Sequence, residues 1–290
     1  LIADGRTRRV MVGTVSRVAA MSISGLLLAV SGTLAGAVIG ALALSVGVVT
    51  ETLLTRRLAR PAIDACLSRT DEAEALSLGA VGRYYLPLAL TPFIALSVQP
   101  VITFFLGRGS AALESLAVLP VVYGLTFIFR ALGLSYQEAA IALLGPNLEH
   151  RREVGRFAVA LGLGCVGLLG LIALTPLADV WLQGVSGLSS ELADFARLPL
   201  ILMTILPGLT VWITWQRSLL LVTRKTTPIS VSTLLEAVVI LLFLTLTISR
   251  VAWPGIVLAA LALTSGRLAG ILYLAFFSGR PKAERSTAKT

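Results

Sequence analysis

The chain has 290 residues, of which 56% are hydrophobic and 13% charged, with a mean hydropathy of +0.90. A soluble domain carries about twice that charge. The formal charge of +9 points away from a nucleic-acid binder, because basic residues flanking apolar runs are the ordinary signature of cytoplasmic loops in membrane proteins.

Taken in chain order, the apolar runs place eight spans at 10–31, 34–54, 82–106, 112–143, 155–177, 198–222, 228–249 and 252–277. Each is about 20 residues or more, the length a helix needs to cross about 30 Å of hydrocarbon. The fold class is therefore an all-α membrane protein, a polytopic helical bundle. Pro228 and Pro254 fit the starts of the last two spans, where a missing N–H costs nothing. Pro87, Pro92 and Pro100 predict a bend in the third span. The loop 55–81 reads as a cytoplasmic connection, with DEAEALS, residues 71–77, as a short surface helix. The external loop 178–197 is expected to be partly helical. Cys66, Cys165 and a single histidine, His150, provide neither a disulfide framework nor a metal spacing. No metal, cofactor or enzymatic role is expected.

Counting Lys and Arg by side gives 18 on one face and three, Arg108, Arg197 and Arg250, on the other. The rich side is assigned to the cytoplasm, with both termini there and the chain in the cell (inner or plasma) membrane. Arg217, Arg224 and Lys225 are counted together as one cytoplasmic turn.

The chain also repeats itself. Shifted by 219 positions, residues 7–54 overlie 226–273 with 12 identities in 48. The densest match sets GAVIGALALSVG, 36–47, on GIVLAALALTSG, 255–266. Spans one and two then overlie spans seven and eight. The simplest interpretation is a six-helix unit repeated in parallel. It gives 1–54 as the last two helices of an N-terminal lobe, 55–81 as the inter-lobe linker, 82–279 as a C-terminal six-helix lobe and 280–290 as a basic tail. A protein of twelve spans in two lobes is the expectation, with the first four spans lying before Leu1.

Three stretches carry a family likeness: YYLPLAL at 84–90, TFFLGRGSAALESLAV at 103–118 and LLGPNLEHRREVGRF at 143–157. With the two-lobe count, they resemble the multidrug and toxin extrusion (MATE) family of the multidrug, oligosaccharidyl-lipid and polysaccharide flippase superfamily. The stretch from Leu113 to Glu138 is similar to its progressive-ankylosis-like branch, which implies export of organic or phosphorylated anions. The family pattern places a carboxylate before the Gly-Arg turn. Here SVQPVITFFLGR offers Gln99 and no acid, which weakens cation-coupled drug efflux.

Ionisable groups inside hydrocarbon are costly and mark pathways or pairs. Arg17, Arg130, Glu236 and Arg267 lie roughly 10–20 Å in from the cytoplasmic ends of their spans, and Gln99 adds a polar group beside Pro100. Three arginines against one glutamate suit a carboxylate or phosphate. These five residues are the candidate substrate or ion pathway, with proton or Na⁺ coupling open. The opposing interpretation is that Glu236 pairs permanently with Arg267 and only fixes packing. The glycines of GLGCVG, 162–167, sit inside a span and read as close helix packing, not as a dinucleotide site. Trp181 and Trp253 read as interfacial anchors, while Trp212 and Trp215 either line a cavity or pack. The function expected is a secondary transporter or flippase exporting an anionic or amphipathic solute by alternating access. Its partners are the bilayer and that solute, with no nucleic acid. A cation-coupled multidrug exporter, a lipid-linked polysaccharide flippase and a non-transporting membrane scaffold are the alternatives.

Overall fold

The computed structural model describes residues 7–32, 34–67, 78–145, 147–223 and 225–278. Their order is α1 Thr7–Ser31, α2 Gly36–Leu67, α3 Leu78–Leu106, α4 Ala112–Leu144, α5 Arg151–Leu174, a single turn α6 Leu177–Asp179, a π-helical turn Val180–Val185, α7 Ser190–Met203, α8 Leu206–Val222, α9 Thr227–Thr247 and α10 Gly255–Ser278. The protein is an all-α polytopic membrane bundle. Among the described residues, seven stretches are long and apolar enough to cross a membrane: 11–31, 36–61, 112–144, 151–174, 190–222, 227–247 and 255–278. α3 has the length, 29 residues, and its segment Pro92–Leu106 is apolar. The expected surface helix at 71–77, the opening residues 1–6, Arg224 and the basic tail 280–290 lie outside the described residues.

The chain divides into two compact units, 1–76 and 77–290. In the first, α1 and α2 form an antiparallel hairpin. α2 runs to Leu67, so 55–67 is helix and not loop as expected. At about 1.5 Å per residue its 32 residues outreach the hydrocarbon. The charges of 56–60 end the apolar run without ending the backbone hydrogen bonding. Arg9 Nη1 donates to Leu58 O at 3.0 Å, which holds this extension against α1.

In the second unit α8 is packed between α4, α5 and α10, and α9 lies between α3 and α10. The core runs through Ile102, Leu106, Val122, Leu200, Met203, Ile240, Leu244 and Ile256, all fully buried. The outward faces carry Leu163, Leu168, Leu171 and Phe276, as a helix facing hydrocarbon must. The expected sixth span, 198–222, is two helices. α7 begins at Ser190, whose neighbour Ser189 caps it by accepting from Leu192 N. It breaks at Thr204–Ile205, just before Pro207 in the first turn of α8. Proline has no N–H to give to Met203 O and its ring crowds that carbonyl, so one continuous helix is disfavoured there. α3 runs without a break through Pro92 and Pro100.

Tertiary hydrogen bonds tie the turns on both sides of the second unit. Gly255 N donates to Ser110 O at 3.1 Å and Ile256 N to Ser115 Oγ at 3.3 Å, joining the α3–α4 turn to the start of α10. At the other end, Arg151 Nη2 donates to Ser278 O at 3.0 Å. The arginine-poor turns 107–111 and 249–254 thus share one side. The start of α5 and the end of α10 share the other.

The two hairpins that align in sequence also make the same contact. A Cβ built on Gly47 would strike Met21 and lie 3.1 Å from Arg17 O. At the shifted positions, a Cβ on Gly266 would lie 2.6 Å from Ile240 Cγ1 and 2.9 Å from Glu236 O. In each hairpin a glycine lets the two helix backbones approach closely. Gly266→Ala is therefore expected to lower stability by about 1–3 kcal/mol through overpacking, read as thermal unfolding in detergent. Gly164, whose Cβ would meet nothing within 4 Å, should tolerate alanine. Equal stability of the two variants would overturn the close-packing role.

Candidate functional site

The buried polar side chains of the second unit gather where α4, α8, α9 and α10 face one another. α4 contributes Tyr123 and Arg130, two turns apart on one face. α8 contributes Thr210 and Arg217 with the same spacing. α9 supplies Thr233 and Glu236, three residues apart, and α10 supplies Arg267.

Arg267 Nη2 lies 3.0 Å from Glu236 Oε1, with side chains only 13% and 11% exposed. Arg130 is buried. Its Nη1 donates to Tyr123 Oη at 2.9 Å and its Nε to Thr210 Oγ1 at 3.3 Å. The guanidinium carbon stands 5.5 Å from the Tyr123 ring centre, within cation–π range. Arg217 Nη2 donates to Thr233 Oγ1 at 3.1 Å. Thr210 and Thr233 in turn donate to Leu206 O and Ile229 O in their own helices. Each hydroxyl therefore gives its proton to the helix backbone and keeps its lone pairs for an arginine.

The cluster holds three guanidiniums and one carboxylate, an excess of two positive charges, and only Arg267 contacts the carboxylate directly. Two donors, Arg217 Nε and Arg267 Nε, are shut away from solvent with no hydrogen-bond partner, as is the acceptor Gln216 Oε1. Buried polar atoms of this kind are uncommon, and two orphaned guanidinium N–H groups are donors for an anion.

The structure brings together three of the five expected residues: Arg130, Glu236 and Arg267. Arg17 belongs to the first unit, where its Nη1 meets Glu51 Oε2 at 3.2 Å. With its side chain 42% exposed, it is a partly open pair within its own hairpin. Gln99 is half-buried on α3, and no hydrogen bond joins its side chain to the cluster among the described residues. Within the second unit, Arg217 joins the cluster. Charge counting had placed it in the cytoplasmic turn, yet it lies five residues inside the end of α8. Its spacing of seven from Thr210 was the available signal, since that spacing returns a residue to the same helix face.

Other expected features fall elsewhere. Trp181 is tied to α4 through its indole N–H on Val121 O at 3.2 Å, and Trp253 is exposed. Within GLGCVG, Gly162 packs against Gly208 of α8, whereas Gly164, Gly167 and the following Gly170 meet nothing within 4 Å. Close packing thus explains one glycine of the run. Arg197 Nη2 reaches both carboxylate oxygens of Asp179 at 2.7 Å, bracing α7 against the turn before it. Among the described residues there is no group of three metal-ligating side chains.

No protein-family model, characterised protein or solved structure matches this chain.

Removing one partner of a buried ion pair leaves the other uncompensated. Glu236→Leu is expected to lower stability by about 3–5 kcal/mol, and the double variant Glu236→Leu/Arg267→Leu to recover most of it, measured by unfolding in detergent. A double variant no better than the single one would show that the two charges do not depend on each other.

Proposed function

We propose that the protein is a secondary transporter or flippase that moves an anionic or amphipathic solute. The observation that carries this is the excess of two positive charges among Arg130, Arg217, Arg267 and Glu236 inside the bundle, with two guanidinium N–H groups unpartnered. Charge held inside a membrane bundle is expensive, and its usual setting is a pathway or a wet cavity. Arginine's planar fork suits a carboxylate or a phosphate. A bound anion would satisfy the orphaned donors and offset the excess charge. Glu236 then acts as the internal substitute for the anion, releasing Arg267 when the solute arrives.

Alternating access between two six-helix lobes, one of them 82–279, is the mechanism this reading adopts. The paired contacts of the α1–α2 and α9–α10 hairpins support it, and so does the MATE-like resemblance of 84–90, 103–118 and 143–157. The lack of a carboxylate near Gln99 favours an anionic solute over a drug cation. The orientation, with both termini in the cytoplasm of a cell or plasma membrane, follows from the distribution of Lys and Arg. Coupling to protons or Na⁺ belongs to the same proposal.

The competing interpretation, a non-transporting scaffold, is favoured by the short Glu236–Arg267 contact alone. A transport assay separates the two. In proteoliposomes with imposed Na⁺ or proton gradients, flux of citrate or of dodecyl phosphate is expected. Each of Arg130→Gln, Arg217→Gln, Arg267→Gln and Glu236→Gln should reduce it by about tenfold or more, with the protein still inserted and monodisperse. Flux unchanged in all four variants would reject the site, and no flux of either anion in the native chain would reject anion transport.

A further inference from the structure

A second basic site lies at the start of α5 and shares no residue with the buried cluster. An open groove of about 700 Å³ is lined by Glu149, Arg151, Arg152, Gly155, Arg156, Val159, Trp212 and Trp215. Residues 152, 155, 156 and 159 recur at helical spacing on one face of α5. The groove therefore extends along the first two turns or so of that helix and is closed on its other side by α8.

Its chemistry changes along its length. At the mouth stand three arginines and one carboxylate. Arg151 is committed through Nη2 to Ser278 O. Arg152 and Arg156, one turn apart, are exposed, and among the described residues no carboxylate pairs with either. Glu149 accepts from Asn147 Nδ2 at 3.4 Å. Deeper in, the lining is apolar. Gly155 has no side chain, and a Cβ there would lie 3.0 Å from Trp215 Cζ2. The bare backbone lets the Trp215 ring form the floor. Trp212, 40% exposed, also lines the groove.

We propose that this groove binds one anionic phospholipid of the phosphatidylglycerol class, its phosphate between Arg152 and Arg156 and the upper part of an acyl chain along Val159, Trp212 and Trp215. Charge complementarity favours the acidic headgroup, since the cationic group of a zwitterion offsets much of what its phosphate gains from a net positive mouth. The change from guanidinium to indole over two helical turns matches the change from headgroup to hydrocarbon at a membrane interface. A soluble phosphate fits the mouth alone and leaves the apolar floor without an occupant.

Tryptophan quenching tests it. The chain has four tryptophans. Trp181→Phe/Trp253→Phe leaves Trp212 and Trp215 as the reporters, in nanodiscs of phosphatidylcholine. A small proportion of either phosphatidylglycerol or phosphatidylcholine is then brominated high in its acyl chains. Brominated phosphatidylglycerol is expected to quench well beyond brominated phosphatidylcholine. Arg152→Gln and Arg156→Gln should each weaken that preference about fivefold, and Arg156→Lys should retain part of it. Arg108→Gln, on the arginine-poor side, should leave it intact. Equal quenching by the two lipids overturns the proposal without recourse to any charge variant. So does a phosphatidylglycerol preference that survives Arg152→Gln/Arg156→Gln, or one abolished by millimolar inorganic phosphate at constant ionic strength.

Discussion

A charge inside a helix bundle that faces hydrocarbon has few stable arrangements. It needs an opposite charge or several hydrogen bonds, and both must come from other helices or from its own backbone. The Glu236–Arg267 contact meets this need between α9 and α10. It depends on the close approach of those helices at Gly266, where the backbone of Glu236 lies within reach of any added side chain. The carboxylate is thereby held in the bundle, and the remaining arginines are arranged around it. Among the described residues no acid pairs with Arg130 or Arg217, which use Tyr123, Thr210 and Thr233 instead. Hydroxyls and a ring face stabilise a guanidinium without neutralising it. The cluster therefore keeps a positive field that a complete set of ion pairs would cancel.

The α1–α2 hairpin solves the same problem with the charges exchanged. Arg17 occupies the position that Glu236 holds in the second hairpin, and each pairs with the opposite charge on its sister helix. The glycine contact beside the pair is shared: Gly47 against Met21 and Arg17, Gly266 against Ile240 and Glu236. Twelve identities in 48 positions understate this likeness, because Met21 and Ile240 differ in type while filling the same place. What the hairpins have in common is a glycine-mediated close approach with one interhelical ion pair nearby. The partners differ in position, since Glu51 aligns with Gly270 and Arg267 with Val48.

Where the chain departs from its hydropathy profile, the cause is local and identifiable. α2 outlasts its apolar run because helical hydrogen bonding continues after the side chains turn polar, and Arg9 secures the extension on Leu58. The long apolar run after residue 190 divides because Pro207 cannot serve Met203 O. Trp215 lies under Gly155, sixty positions away in sequence, because only glycine leaves room for the ring. Arg217 is the most instructive case. Counted with Arg224 and Lys225, it is one more cytoplasmic charge. Folded, it reaches from α8 to Thr233 of α9, and its Nε is withdrawn from solvent.

Composition and the spacing of apolar runs determined the class of the protein and where most of its long apolar helices lie. These are properties of transfer between water and hydrocarbon, which act on each segment by itself. The 219-residue echo and the rarity of ions within the spans marked Arg130, Glu236 and Arg267 before any fold was known. Only the tertiary structure decided that these three meet, that Arg217 joins them and that Arg17 turns to Glu51 instead. Which ions share a site depends on how four helices rotate and approach. That is fixed by glycine contacts and proline breaks between segments far apart in sequence, and no single run of residues contains it.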